Sequence, residues 1–134
     1  MTPSQMPVRT VVIDHVTIGV SDLERSAEFY RRILATLGFR DFGPWEEGEP
    51  EVAFGTDGAD DFAISLAYST GAPIHLAFAA ERRQQVDAFH AAGLAAGGTD
   101  HGGPGFRTEY SKGYYAAFVL DPDGNNIEAV HHGD

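Results

Sequence analysis

The chain of 134 residues contains no cysteine. That excludes disulfides, thiolate metal sites and cysteine nucleophiles, and it fits a reducing compartment. Basic residues are scarce. Nine lysines and arginines stand against 20 aspartates and glutamates, a formal charge of −11. A surface of that sign repels phosphate backbones and anionic membranes, so neither nucleic acid nor a membrane is an expected partner. No apolar run approaches the ~18 residues of a membrane span. Met1 to Pro7 lacks the basic start and apolar stretch of a secretory signal, and the expected location is cytoplasmic. What is present is a globular composition, 43% hydrophobic and 22% charged. The length suits one domain, or two half-domains sharing a core.

The acidity is concentrated. Between Asp41 and Ala80 lie Asp41, Glu46, Glu47, Glu49, Glu51, Asp57, Asp60 and Asp61, with no lysine or arginine. A solvated loop and strand edge accounts for this. The run Asp57-Gly58-Ala59-Asp60-Asp61 lacks the alternating ligands and closing glutamate of a calcium loop.

The chain repeats itself. Asp14-His15-Val16-Thr17-Ile18 and Ile74-His75-Leu76-Ala77-Phe78 align at an offset of 60 residues, and in the same register Phe29 falls on Phe89, Leu34 on Leu94 and Gly38 on Gly98. Such a repeat dictates architecture before any single motif does. In the first half, β-branched Val11 to Val20 predicts a strand, and Ser21-Asp22-Leu23-Glu24 is a capping box that opens a helix. Leu23, Ala27, Tyr30, Ile33, Leu34 and Leu37 form the apolar face of that helix, and Gly38 ends it as a left-handed cap. Short strands are expected near Arg40 to Phe42 and Val52 to Gly55, and a stronger one over Phe62 to Tyr68.

After a break at Thr70-Gly71-Ala72-Pro73 comes a strand over Ile74 to Ala79. A helix follows from about Glu81 to Ala96, with Val86, Phe89 and Leu94 inward. His101 to Lys112 is expected to be a glycine-containing loop, placed to act as a lid. Tyr114 to Leu120 and Asn126 to His131 are strands joined by the Asp121-Pro122-Asp123-Gly124 turn. The fold expected is α+β, two tandem βαβββ modules at 11–69 and 73–131 behind an N-terminal tail at 1–10. Together they would form one domain with a curved mixed sheet around a cleft.

Strand alternation selects the candidate site. In the first strand Val12, Val16, Ile18 and Val20 share the face suited to the helix, and Ile13, His15 and Thr17 lie opposite. In the fifth, Ile74, Leu76 and Phe78 pack inward and His75 faces away. Repeat symmetry would therefore set His15 and His75 across a shared cleft. Glu128 sits among Ile127, Ala129 and Val130, where a carboxylate is costly unless it is paired or binds a metal. Two imidazoles and one carboxylate suit a divalent iron, manganese, zinc, nickel or cobalt ion. A salt bridge from Glu128 to Arg107 or Lys112 is the alternative. Matching Ile64-Ser65-Leu66-Ala67 with Ile127-Glu128-Ala129-Val130 makes Ser65 the repeat-equivalent of Glu128, a corner left to water or substrate. His90, His131 and His132 read as packing or surface groups, and His101 as a loop residue of open role.

Several segments resemble the vicinal oxygen chelate superfamily, which holds glyoxalase I, extradiol dioxygenases, fosfomycin-resistance enzymes and bleomycin-resistance proteins. They are Asp14-His15-Val16-Thr17, Ser26-Ala27-Glu28-Phe29-Tyr30, His75-Leu76-Ala77-Phe78, and the run from Ala117 through Asp121-Pro122-Asp123-Gly124-Asn125-Asn126-Ile127-Glu128. The resemblance covers Val11 to His131. It implies paired βαβββ modules around one divalent metal held by His15, His75 and Glu128, and a homodimer whose modules combine within or across chains. Where glyoxalase I has a glutamate ligand on the fourth strand, this chain has Ser65. Where fosfomycin-resistance enzymes have a tyrosine on the seventh, it has Phe118. Tyr110-Ser111-Lys112-Gly113-Tyr114-Tyr115 resembles a glyoxalase-like subgroup. The function implied is a lyase or isomerase whose small substrate chelates the metal through adjacent oxygens, with Glu128 moving a proton. A ring-cleaving dioxygenase and a non-catalytic drug-binding protein are the alternatives. The residues expected around the substrate are Thr17, Ser65, Arg107, Tyr110, Lys112, Tyr115 and Phe118. Arg107 and Lys112 would hold an anionic group, and the tyrosines would form walls.

Overall fold

The computed structural model describes residues 13–42, 48–56 and 59–133. The tail at 1–10, the start of the first strand at Val11 and Val12, and Glu46, Glu47 and Asp57 of the acidic stretch lie outside them. Eight strands and two helices are present among the described residues, as βαβββ twice. The first unit comprises β1 (Val16–Gly19), α1 (Leu23–Ala35), β2 (Arg40–Asp41), β3 (Glu51–Gly55) and β4 (Phe62–Ser65). The second comprises β5 (His75–Ala79), α2 (Arg83–Ala95), β6 (Thr99–Phe106), β7 (Tyr114–Leu120) and β8 (Asn126–His132). Each unit forms a four-stranded mixed sheet, in the orders β1-β4-β3-β2 and β5-β8-β7-β6. The first and last strands of each unit pair in parallel, with the first strand at one edge of its sheet.

The two helices obey the 60-residue offset along their full length. Their neighbours refine the sequence reading. The N-cap of α1 is Asp22, whose Oδ1 accepts the Arg25 N–H at 3.0 Å. Ser21, expected to cap, instead donates its hydroxyl to Asp123 Oδ1 at 2.5 Å and its N–H to Asp123 Oδ2 at 3.2 Å. The closing turn of the second unit thereby clasps the helix start of the first. Gly38 adopts φ +86° after α1 as expected, but after α2 the positive φ falls on Gly97. Gly98 serves close approach: a Cβ there would lie 2.7 Å from both Phe29 Cε1 and Val119 Cγ2. Leu94, expected inward, is 42% exposed. Gly93 is the buried residue of that turn and brings α2 against Val119.

The first half of the expected loop at His101 to Lys112 is strand, because Thr99–Phe106 pairs with β7. Glycines and Pro104 weaken a strand but do not forbid an edge position. The register slips between Asp100 and Gly102 and between Gly102 and Gly105 absorb them as bulges. Only residues 107–113 remain as a connection.

One core joins both units. Phe62 of β4 and Phe78 of β5 meet edge-on at 5.3 Å between ring centroids, and Phe39 meets Phe78 at 5.8 Å. Phe29, Tyr30, Ile33 and Leu34 of α1 and Val86 and Phe89 of α2 complete it. Each buried large side chain contributes roughly 1.5–3 kcal/mol. Tyr30 is fully buried and donates to Asp121 Oδ2 at 2.5 Å. Asp121 also accepts from the Asn125 side chain and from the N–H groups of Asp123 and Asn125. Asn125 Oδ1 in turn accepts the Ile74 N–H. The Asp-Pro-Asp-Gly turn is thus an anchor between the units as well as a hairpin.

Candidate functional site

Alternation places the core residues of each sheet on one face and leaves the other turned away from that core. In the second sheet the latter face carries His75 and Ala77 of β5, Asn126, Glu128 and His132 of β8, and Tyr114, Ala116 and Phe118 of β7, as the registers require. Glu128 lies across from Ala77 on one side and Phe118 on the other. Its side chain is 1% exposed. Oε1 lies 2.8 Å from His75 Nε2, and Oε2 accepts the hydroxyl of Tyr114. Neither alternative partner pairs with Glu128: Arg107 donates to Gly103 O at 2.7 Å and lies 5.4 Å over the Phe118 ring. Lys112 makes no ion pair among the described residues. Burial, and after it the hydrogen bond to Glu128, pushes the Tyr114 phenol up to about 12. It therefore keeps its proton at neutral pH and donates to the carboxylate. Asn126, across from His75, has a buried amide oxygen with no hydrogen-bond partner among the described residues.

His15 stands at the matching point of the other sheet, immediately before β1. Its Nδ1 lies 2.9 Å from Asp14 Oδ1, and both side chains are exposed. The hydrogen bond to Asp14 raises the pKa of His15 above its ordinary value, with smaller contributions from Asp60 and Glu51. The register also corrects the repeat-equivalent of Glu128. Thr17 pairs with Ala63, and Ala77, its equivalent at the 60-residue offset, pairs with Glu128. Ala63, not Ser65, therefore occupies the Glu128 position of the first sheet, two residues before the serine. The buried Ser65 hydroxyl accepts the Ala67 N–H.

The structure thus brings together His75, Glu128 and Phe118 of the residues expected at the site. His15 is on the other sheet, and among the described residues of one chain no group of three or more histidines, aspartates and glutamates could hold a metal ion. The pair itself fits such an ion: a nitrogen and an oxygen donor converge, and the buried carboxylate has no lysine or arginine paired with it among the described residues. Thr17 lines a separate cavity of about 350 Å³ with Gly19, Tyr68 and Ile74, and Lys112 one of about 500 Å³ with Phe106, Thr108 and Gly133. His75 and Glu128 line neither cavity. Tyr110 is 63% exposed and meets Tyr114 edge-on at 5.0 Å.

Tyr115 is corrected. It lies on the helix-facing side and donates to Asp87 Oδ1 of α2 at 2.6 Å. Tyr114, one residue earlier, is the tyrosine that reaches Glu128. Its parity with Phe118 on β7 was the signal in the sequence.

The family model described as the Glyoxalase/Bleomycin resistance protein/Dioxygenase superfamily matches residues 12–129. A crystal structure of a glyoxalase/bleomycin resistance protein from Albidiferax ferrireducens T118 is 38% identical. The match covers 92% of this chain and 100% of that one with a TM-score of 0.73. A glyoxalase/bleomycin resistance protein/dioxygenase family enzyme from Burkholderia phytofirmans PsJN is 22% identical, over 90% and 98% of the two chains, with a TM-score of 0.68. A glyoxalase-related enzyme from Fulvimarina pelagi is also 22% identical, over 92% and 88%, with a TM-score of 0.66. No curated protein matches the chain.

Proposed function

Because the chain belongs to the Glyoxalase/Bleomycin resistance protein/Dioxygenase superfamily, we propose that it is a metal-dependent enzyme of glyoxalase type. In this reading it is a lyase or isomerase acting on a small substrate with two adjacent oxygens. The observation that carries the reading is Glu128, a carboxylate 1% exposed and 2.8 Å from His75 Nε2. Keeping that carboxylate charged inside the protein is costly unless a cation or strong donors face it. His75 and Glu128 would hold a divalent ion from one chain, and His15 of a second copy would complete the set. The faces bearing these residues point away from the core of their own chain and are free to meet across a two-fold axis.

Such an ion supplies Lewis-acid stabilisation of an enolate or oxyanion. The protein supplies the rest. Phe118 gives an apolar wall opposite Glu128, and the Arg107 guanidinium stacked on it offers a positive group for an anionic substrate end. In this reading Glu128 would also be the carboxylate that takes a proton from a substrate carbon.

The shared site is tested by mixing His15→Ala and Glu128→Gln chains. Each variant alone should bind no metal. After unfolding and refolding together, about one site in four should recover binding, since half the random dimers are mixed and each mixed dimer has one whole site. No recovery would overturn the two-chain assembly. The chemistry is tested with nickel- or zinc-loaded protein and the thiol adduct of a 2-oxoaldehyde, with thioester formation as the expected result. Oxygen uptake with iron(II) and a catechol would replace the reading by a dioxygenase. Ligand binding that survives loss of His15 would replace it by sequestration.

A further inference from the structure

We propose that Tyr114 is a positioning residue that fixes the rotation of the Glu128 carboxylate, so that one oxygen is presented beside His75 while the other is held back. The inference rests on the metal-site reading above and deepens it. The two carboxylate oxygens have different partners: Oε1 meets His75 Nε2 at 2.8 Å, and Oε2 accepts the Tyr114 hydroxyl. With the residue 1% exposed, water is not available to take the place of the phenol.

The phenol is itself braced. Tyr114 pairs across the ladder with His132, four residues along β8 from Glu128 and on the same face. The pair between them is Ala116 and Val130, and the alanine leaves room for a long side chain to lie along the strand. The Tyr110 ring stands 5.0 Å away at 62°, and the His132 ring 5.1 Å away at 89°. Two edge-on rings thus confine the phenol to the direction of Glu128.

A carboxylate free to rotate can offer a cation both oxygens. One oxygen tied to a braced donor leaves a single one, and the positions not taken by carboxylate remain for the two oxygens of a chelating substrate. Groups that orient a metal ligand in this way characteristically change affinity about 10–100-fold when removed.

The test uses full-length protein and cobalt(II). The wild type should bind cobalt(II) with a visible d–d band. Tyr114→Phe should bind it at least about 10-fold more weakly, with a band of lower intensity as the second carboxylate oxygen raises the coordination number. Tyr115→Phe, on the opposite face, should leave affinity and band unchanged. Equal affinity and an identical band in Tyr114→Phe and wild type would overturn the inference. A wild type that binds no cobalt(II) would instead overturn the metal reading it rests on. Should Tyr114→Phe not fold, the wild type decides by proton magnetic resonance. A hydrogen-bonded phenol proton that persists on zinc loading supports the inference, and its loss on loading, as Oε2 turns to the metal, overturns it.

Discussion

Burying a carboxylate removes its hydration, and Glu128 recovers that loss from two partners, an imidazole and a phenol. His75→Ala leaves one oxygen of a buried charge without a partner. It should lower the free energy of unfolding by about 1–3 kcal/mol, read as a shifted urea midpoint at unchanged slope. Tyr30 offers a second test at this scale. Burial first, then the charge of Asp121, holds its phenol well above the ordinary value. A phenol raised on folding stabilises the fold fully below its unfolded pKa of about 10 and loses that contribution as pH climbs through the folded value. In an alkaline absorbance titration of the five tyrosines, Tyr114 should ionise late, near 12, without unfolding, the last step should coincide with unfolding, and Tyr30→Phe should remove that last step. That His75 and Glu128 share a face was legible from strand alternation, whereas the repeat argument that His15 and His75 face one shared cleft is not met within one chain, where His15 lies on the other sheet. Tyr114 was harder, because adjacent Tyr114 and Tyr115 differ only in parity along β7, and Tyr114 shares that of Phe118. Ser65 was misassigned for a related reason. The repeat offset is 60 at the first strand and 65 at the last, and a drift in loop length cannot be read from one short apolar run.

Elements hold their places here through their ends. Asp22 caps α1 with a side-chain acceptor, and Asp22→Ala should cost about 1 kcal/mol in chemical denaturation. Gly98→Ala should be more harmful. The added methyl would meet the Phe29 ring and Val119 at 2.7 Å and the Gly93 carbonyl at 2.9 Å, so a loss of about 1–3 kcal/mol from overpacking is expected. The strands most readily read were those with an unbroken β-branched or aromatic pattern; β7 falls on the residues Tyr114 to Leu120 that the sequence predicted. β6 was hidden because Thr99–Phe106 contains four residues, Gly102, Gly103, Pro104 and Gly105, that argue for a loop. Its hydrogen bonds to β7 and its edge position outweigh those local preferences. Symmetry alone demanded a strand there, opposite β2 of the first unit.

At the scale of the whole molecule, both helix-facing sheet surfaces are consumed by one shared core. On the proposed two-chain reading the faces with His15 and Glu128 would meet a second copy, and sedimentation should then give twice the mass of the 14.4 kDa chain. No helix among the described residues is long and apolar enough to cross a membrane. The segment between the units runs tightly over the first sheet: a Cβ on Gly19 would meet the carbonyl oxygens of Tyr68 and Ser69 at 2.5 Å. The units are also stitched by Ser21 to Asp123 and by Tyr30 to Asp121.

That stitching makes the chain divisible in synthesis but not in solution. Nicked at Gly71 and expressed as two pieces, each half would present bare aromatic rings to water and stay unstructured. On mixing, the halves should recover native circular dichroism in a concentration-dependent step, so that covalent continuity serves chiefly to keep each piece near its complement.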